Sequence, residues 1–138
     1  MTQPLSEIQM LAPVVKTQFL NALRSGDYEQ GRLKLRTYDN RFCCLGVLTD
    51  LAVKAGVVRW VESEYGWGIV EDLPNGTSHV NTTDLSDKVM RWAGLEVETC
   101  RSGNIFTGTN YQEDNLMHFN DEKNLSFEQI AEIVEENL

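Results

Sequence analysis

The sequence predicts an α+β domain: about four helices packed on a small, mostly antiparallel sheet, with residues 1–138 in one compact unit. Three observations carry this expectation. Apolar residues recur at helical spacing in several separate stretches. One stretch alternates with period two, and a pair of short β-rich runs flanks a turn. The 138-residue length, with 41% hydrophobic and 24% charged residues, suits one ordinary globular core.

Taken in order, Ser6 and Gln9 can form a capping box, and Val15, Phe19, Ala22 and Leu23 recur at helical spacing up to Ser25 and Gly26. This is a first helix, bent or restarted at Pro13. After the loop "DYEQG", Arg32, Leu33, Lys34, Leu35 and Arg36 alternate as a half-buried strand does, with leucines inward and cations outward. "TYDNR" is a turn. From Phe42 the period changes, and Cys44, Val47, Leu48, Leu51, Ala52 and Ala55 share one face of a second helix that Gly56 stops.

Val57–Val61 and Gly66–Val70 read as a hairpin around Ser63–Tyr65, followed by a loop, "PNGTSHVNTTD". Leu85, Val89 and Trp92 mark a short helix closed by Gly94, and Leu95–Cys100 reads as a further strand. "RSGNIFTGTNYQEDN" is a polar stretch, either an irregular loop or a weak hairpin. Ser126 and Gln129 make a second capping box, from which Phe127, Ile130, Ala131, Ile133 and Val134 line a last helix.

Composition narrows the function. Net charge is −9, unevenly placed: residues 1–41 hold six Lys or Arg against four Asp or Glu, while residues 42–138 hold six against seventeen. Such a body repels nucleic-acid phosphate, so general nucleic-acid binding is not expected. No apolar run approaches the roughly 18 residues of a membrane span, and "MTQPLSEIQMLAPVV" lacks the pattern of an export signal. No membrane association is expected. Three cysteines without an export signal point to reduced thiols in a cytoplasm. Neither His79 nor His118 stands at metal-ligand spacing from the cysteines, so neither a metal nor a cofactor is expected.

Three groups of residues could carry chemistry. The cations Arg32, Lys34 and Arg36, with Arg41 after the turn, form a ladder about 7 Å apart on a strand face, suited to gripping phosphate oxygens. Their plainer role is a solvated face pairing with the many carboxylates. Tyr65 and Trp67 in "EYGWG", and Phe106, Asn110 and Tyr111 in "NIFTGTNYQ", can stack on a base and satisfy its edges, or can anchor loops on the core. Cys43 and Cys44 stand where a helix N-terminus could lower a thiol pKa, although Cys44 also falls on the apolar helix face. Asn120, Asp121 and Glu122 precede the last helix, where paired carboxylates could do acid–base work or where Asp121 could simply support the helix start. No catalytic constellation is assigned.

Several segments carry a resemblance. "ALRSGDYEQGRLKLR", "RFCCLGVLTDLA", "LSDKVMRWAGL" and "LMHFNDEKNLSFEQIAEIVEE" are similar to a family of small bacteriophage- and prophage-encoded proteins with a CCLGVL, Asn-Asp, Ser-Phe-x-x-Ile-Ala pattern. The resemblance implies phage origin and a host cytoplasmic setting, and brings no catalytic residues. The expected function is then a non-catalytic phage accessory protein that binds and sequesters a small anionic ligand, such as a host immune signalling nucleotide, as a monomer or homo-oligomer. Two alternatives stand beside it: an acidic inhibitor or nucleic-acid mimic acting on a host protein, and a small hydrolase using Cys43 or the acidic cluster.

Overall fold

The computed structural model describes residues 10–96, 103–107, 110 and 112–138. The capping box at Ser6 and Gln9, most of the strand expected at Leu95–Cys100, and Tyr111 lie outside these residues.

Helix α1 spans Pro13–Arg24 and begins at its proline, whose missing N–H and fixed φ suit the first helical position; the proline starts this helix rather than bending it. Val15, Phe19 and Leu23, four residues apart, form its buried stripe. After the two-residue strands β1 (Glu29–Gln30) and β2 (Arg41–Phe42), paired parallel, comes α2, Cys44–Lys54. Its first six residues, Cys44 to Thr49, are all buried, as expected of a helix apolar on every side. A Cβ on Gly46 would overlap the Leu35 carbonyl oxygen, so glycine there permits the preceding segment to cross directly on the helix.

Strands β3 (Val61–Ser63), β4 (Gly66–Asp72) and β5 (Ser78–Asn81) form an antiparallel sheet in that order, Val61 facing Gly68 and Ile69 facing Asn81. The expected hairpin is present, but its first strand is Val61–Ser63 and not Val57–Val61, and its turn is at Glu64 and Tyr65. β5 arises in the stretch read as a loop, because Ser-His-Val-Asn is an exposed edge whose ladder hydrogen bonds, not apolar burial, hold it to β4.

Helix α3 (Asp87–Trp92) is capped by the Ser86 hydroxyl accepting from the Val89 N–H at 3.3 Å. Helix α4 (Leu116–Asp121) has Asn115 as its cap, and α5 (Phe127–Asn137) carries the expected capping box from Ser126 and Gln129. Five helices therefore stand among the described residues, not about four; α4 was unforeseen because six residues are too few to show a period.

The core is chiefly helix on helix. Phe19, Leu45, Leu48, Leu116 and Ile130, from α1, α2, α4 and α5, are fully buried in one cluster, while the sheet flanks it. The residues before α1 are tied to this core: the Leu11 N–H donates to Leu138 O at 3.2 Å and the Ala12 N–H to Ala93 O at 2.9 Å. Arg24 pairs with Glu128 and Glu135 across α1 and α5. Among the described residues, no helix is long and apolar enough to cross a membrane.

Candidate functional site

Residues 30–42 wrap the start of α2 and carry most of the sequence-predicted cations. The Gly31 N–H donates to Phe42 O at 2.7 Å, the Leu35 N–H to Thr82 O at 2.8 Å and the Trp67 N–H to Arg36 O at 3.1 Å. The backbone thus threads between β2, the β5 end and β4.

It is not the strand the alternation predicts. Only Arg36 makes bridges, to Phe42 and Trp67, and Leu33 adopts a left-handed φ of 68° with its side chain 70% exposed, while Leu35 is fully buried. The left-handed residue breaks the period-two register, so leucines do not share an inward face and the cations do not form an even ladder. Asp121 holds the kink, its Oδ1 accepting the Leu33 N–H at 3.1 Å.

Each cation has its own environment. Arg36 is half-buried, its guanidinium carbon 4.5 Å from the Trp67 ring centroid, 5.6 Å from Trp60 and 5.7 Å from Phe42. Its Nε and one terminal nitrogen both donate to Asn40 Oδ1, at 2.9 and 2.8 Å. Lys34 Nζ donates to the Tyr65 carbonyl, bringing the "EYGWG" turn against the same segment. Arg41 is exposed and already answered by carboxylates, Asp39 at 3.1 Å and Glu29 at 3.5 Å. Arg32 is exposed and, among the described residues, has no ion-pair partner.

Lys34, Arg36, Tyr65 and Trp67 therefore meet at one locus, with Arg32 and Arg41 on the flanking turns. In the second aromatic loop Phe106 does not present an open ring: it is 5% exposed and its backbone bridges Asn115. Asn110 closes a local turn, its Oδ1 accepting the Gln112 N–H at 3.2 Å and its Nδ2 donating to Glu113 at 3.1 Å.

Beneath the segment lies a buried amide, Asn120, which the sequence places just before the last helix. Asn120 is fully buried; its Oδ1 accepts from Gln30 Nε2 at 2.8 Å and the Cys44 N–H at 3.2 Å, and its Nδ2 donates to Gly31 O at 2.9 Å and Asp121 Oδ1 at 2.8 Å. Asn120 and Asp121 end α4 and brace residues 30–33 against α2, whereas α5 starts from its own cap at Ser126. The adjacency "ND" alone gives no sign of a partner 76 to 90 residues away.

The thiols are packing groups. Cys43 and Cys44 are buried, and burial pushes the Cys43 thiol up to about 12 and Cys44 well above the ordinary value despite backbone N–H groups that pull the other way. A thiol held in that state is a poor nucleophile at neutral pH. Among the described residues, no group of three His, Cys, Asp or Glu side chains is placed to hold a metal ion.

A domain of unknown function, DUF8296, matches residues 11–138. The chain belongs to the DUF8296 family. The match spans every helix and strand described, from Leu11, whose amide is bonded to Leu138 O, onward. No curated protein and no solved structure matches the chain.

Proposed function

We propose that the protein is a non-catalytic phage accessory protein that binds and sequesters a small anionic ligand, such as a signalling nucleotide, in the cytoplasm of a host cell. The observation that carries the reading is an electrostatic one. In a chain of net charge −9, Arg32, Lys34 and Arg36 follow one another with no carboxylate oxygen within ion-pair distance among the described residues. Cations free of ion pairs leave positive charge available to an incoming anion, even with the Asp121 carboxylate held at the Leu33 N–H.

The aromatic neighbours support the same chemistry. Tyr65 is 62% exposed beside Lys34, and Trp67 is half-buried under Arg36, giving a face for a planar group next to donors for its phosphate. Arg36 is oriented by its aromatic stack and by Asn40, so its planar fork is already ordered. The acidic-mimic alternative has less behind it, since Glu128 and Glu135 of the acidic helix are engaged by Arg24. The hydrolase alternative is weakened by the buried Cys43 thiol and by Asp121, whose Oδ1 is taken by the Leu33 N–H and Asn120 Nδ2.

The test is calorimetric titration with a panel of mononucleotides and cyclic dinucleotides, with the parent nucleosides alongside. A phosphate-bearing member binds and its nucleoside does not, and Arg32→Ala weakens that binding by about tenfold. Absence of binding by every phosphate-bearing member refutes the reading for nucleotides.

A further inference from the structure

A hollow lies between the segment after α2, strand β4 and helix α3. It has a volume of about 380 Å³, within the range of small-ligand sites, and Val57, Val58, Ile69 and Val70 line it with Arg59 and Lys88 at its edge. Ile69 is 2% exposed, Val57 and Val58 are half-buried, and Val70 is 40% exposed, so aliphatic residues line the hollow from its floor to its rim. Neither cationic head has a hydrogen-bond or ion-pair partner among the described residues.

An apolar wall ending at two uncompensated cations defines its ligand by chemistry. The four aliphatic side chains favour an apolar body, and the two cations select against a neutral or cationic head. We propose that this hollow binds a small amphiphilic anion, an apolar body carrying a carboxylate or phosphate head, with the body on Val57, Val58, Ile69 and Val70 and the head on Arg59 and Lys88.

Neighbouring hollows fix the direction. A smaller one of about 170 Å³ shares Val70 and Lys88 but is bordered by Glu71, Asp72 and Asp87, which repel an anion, so the head lies toward Arg59. The larger cleft between α1 and α2, about 490 Å³, offers only Lys54 as a cation, and that group is held by Asp50 at 3.4 Å and Tyr28 at 3.0 Å.

The experiment titrates ¹⁵N-labelled full-length protein with octanoate, octyl phosphate, octanol and octylammonium, each below its micelle concentration. Octanoate or octyl phosphate shifts the amide signals of Val57, Val58, Arg59, Ile69, Val70 and Lys88, and whichever of the two binds more tightly identifies the head group. Octanol and octylammonium bind at least about tenfold more weakly, and the exposed substitutions Arg59→Ala with Lys88→Ala weaken the anion by a similar factor while the remaining spectrum stays dispersed. Val70→Asp, also exposed, gives a second loss through the wall. Three results overturn the proposal: no shifts at these amides, equal binding of octanol and octanoate, or unchanged affinity in the folded double variant.

Discussion

Replacing Asn120 by alanine tests whether the wrapped 30–42 segment is held by one buried amide. Four hydrogen bonds disappear, but their partners fare differently. Gln30 Nε2 keeps a second acceptor, Leu125 O at 2.8 Å, and Asp121 keeps the Leu33 N–H at 3.1 Å. The Cys44 N–H at the start of α2 and the Gly31 carbonyl lose their Asn120 partner. A buried backbone group left without a partner costs about 1–3 kcal/mol, so the two together with the lost side-chain bonds give about 3–5 kcal/mol. That is a large share of the 5–15 kcal/mol by which such domains are ordinarily stable.

Urea denaturation followed by tryptophan fluorescence measures it. With a denaturant slope of about 1.5 kcal/mol/M, the midpoint of Asn120→Ala falls by about 2–3 M. Asn120→Asp refines the test: it keeps the acceptor toward Cys44 and Gln30 but turns an acceptor toward Gly31 O and Asp121. Its loss at pH 7 is comparable, and part of it returns on acidification as the new carboxyl takes up a proton. A midpoint shift below about 0.5 M for Asn120→Ala would refute the reasoning, because it would mean the amide network contributes no more than an exposed hydrogen bond.

Three further outcomes follow from the same structure. Gly46→Ala drives a methyl into the Leu35 carbonyl and costs about 3 kcal/mol or more, read by the same urea midpoint, whereas Gly26→Ala, with open space at its Cβ, loses only the smaller left-handed penalty. Leu33→Gly relieves a left-handed leucine whose side chain is 70% exposed and stabilises by about 0.5–1 kcal/mol, a gain that calorimetric melting detects and whose absence would show the φ of 68° to be unstrained. Stability is full below the ordinary thiol value of 9.0 and declines as pH rises toward the folded Cys43 value of about 12, by about 1.4 kcal/mol per pH unit per thiol, because the unfolded chain releases protons that the buried thiols keep. Tyr28, raised by burial and by its bond to Asp50, acts in the same direction from its ordinary 10.0. Denaturation midpoints at pH 8, 9, 10 and 11 check this, with Cys43→Ala flattening the decline.

Long periodic elements were legible in the sequence, and short or cross-chain ones were not. The α2 face and the α5 capping box lie in contiguous residues, so spacing alone gives them. The Arg32–Arg36 alternation misled because a left-handed Leu33, stabilised by a carboxylate 88 residues away, flips the register that alternation assumes. Chemistry at the candidate site was half visible. Arg36 and Trp67 were named separately, but their stacking, with Trp60 and Phe42 completing the aromatic walls, depends on the β4 register and the path of the segment after β1. Composition left Phe106 open between a stacking face and a core anchor, and its 5% exposure beside the backbone bridge to Asn115 makes it an anchor.

Whether the uncompensated cations of residues 32–36 retain a small anion is read from mass spectrometry of what the protein carries. Purified protein is incubated with extract of phage-infected cells, washed and denatured, and the released small molecules are analysed beside an Arg32→Ala, Lys34→Ala double variant that preserves the Arg36 stack. The account predicts a phosphate-bearing molecule released intact from the wild type and depleted in the variant. Equal recovery from both proteins, or nothing retained by either, would contradict it.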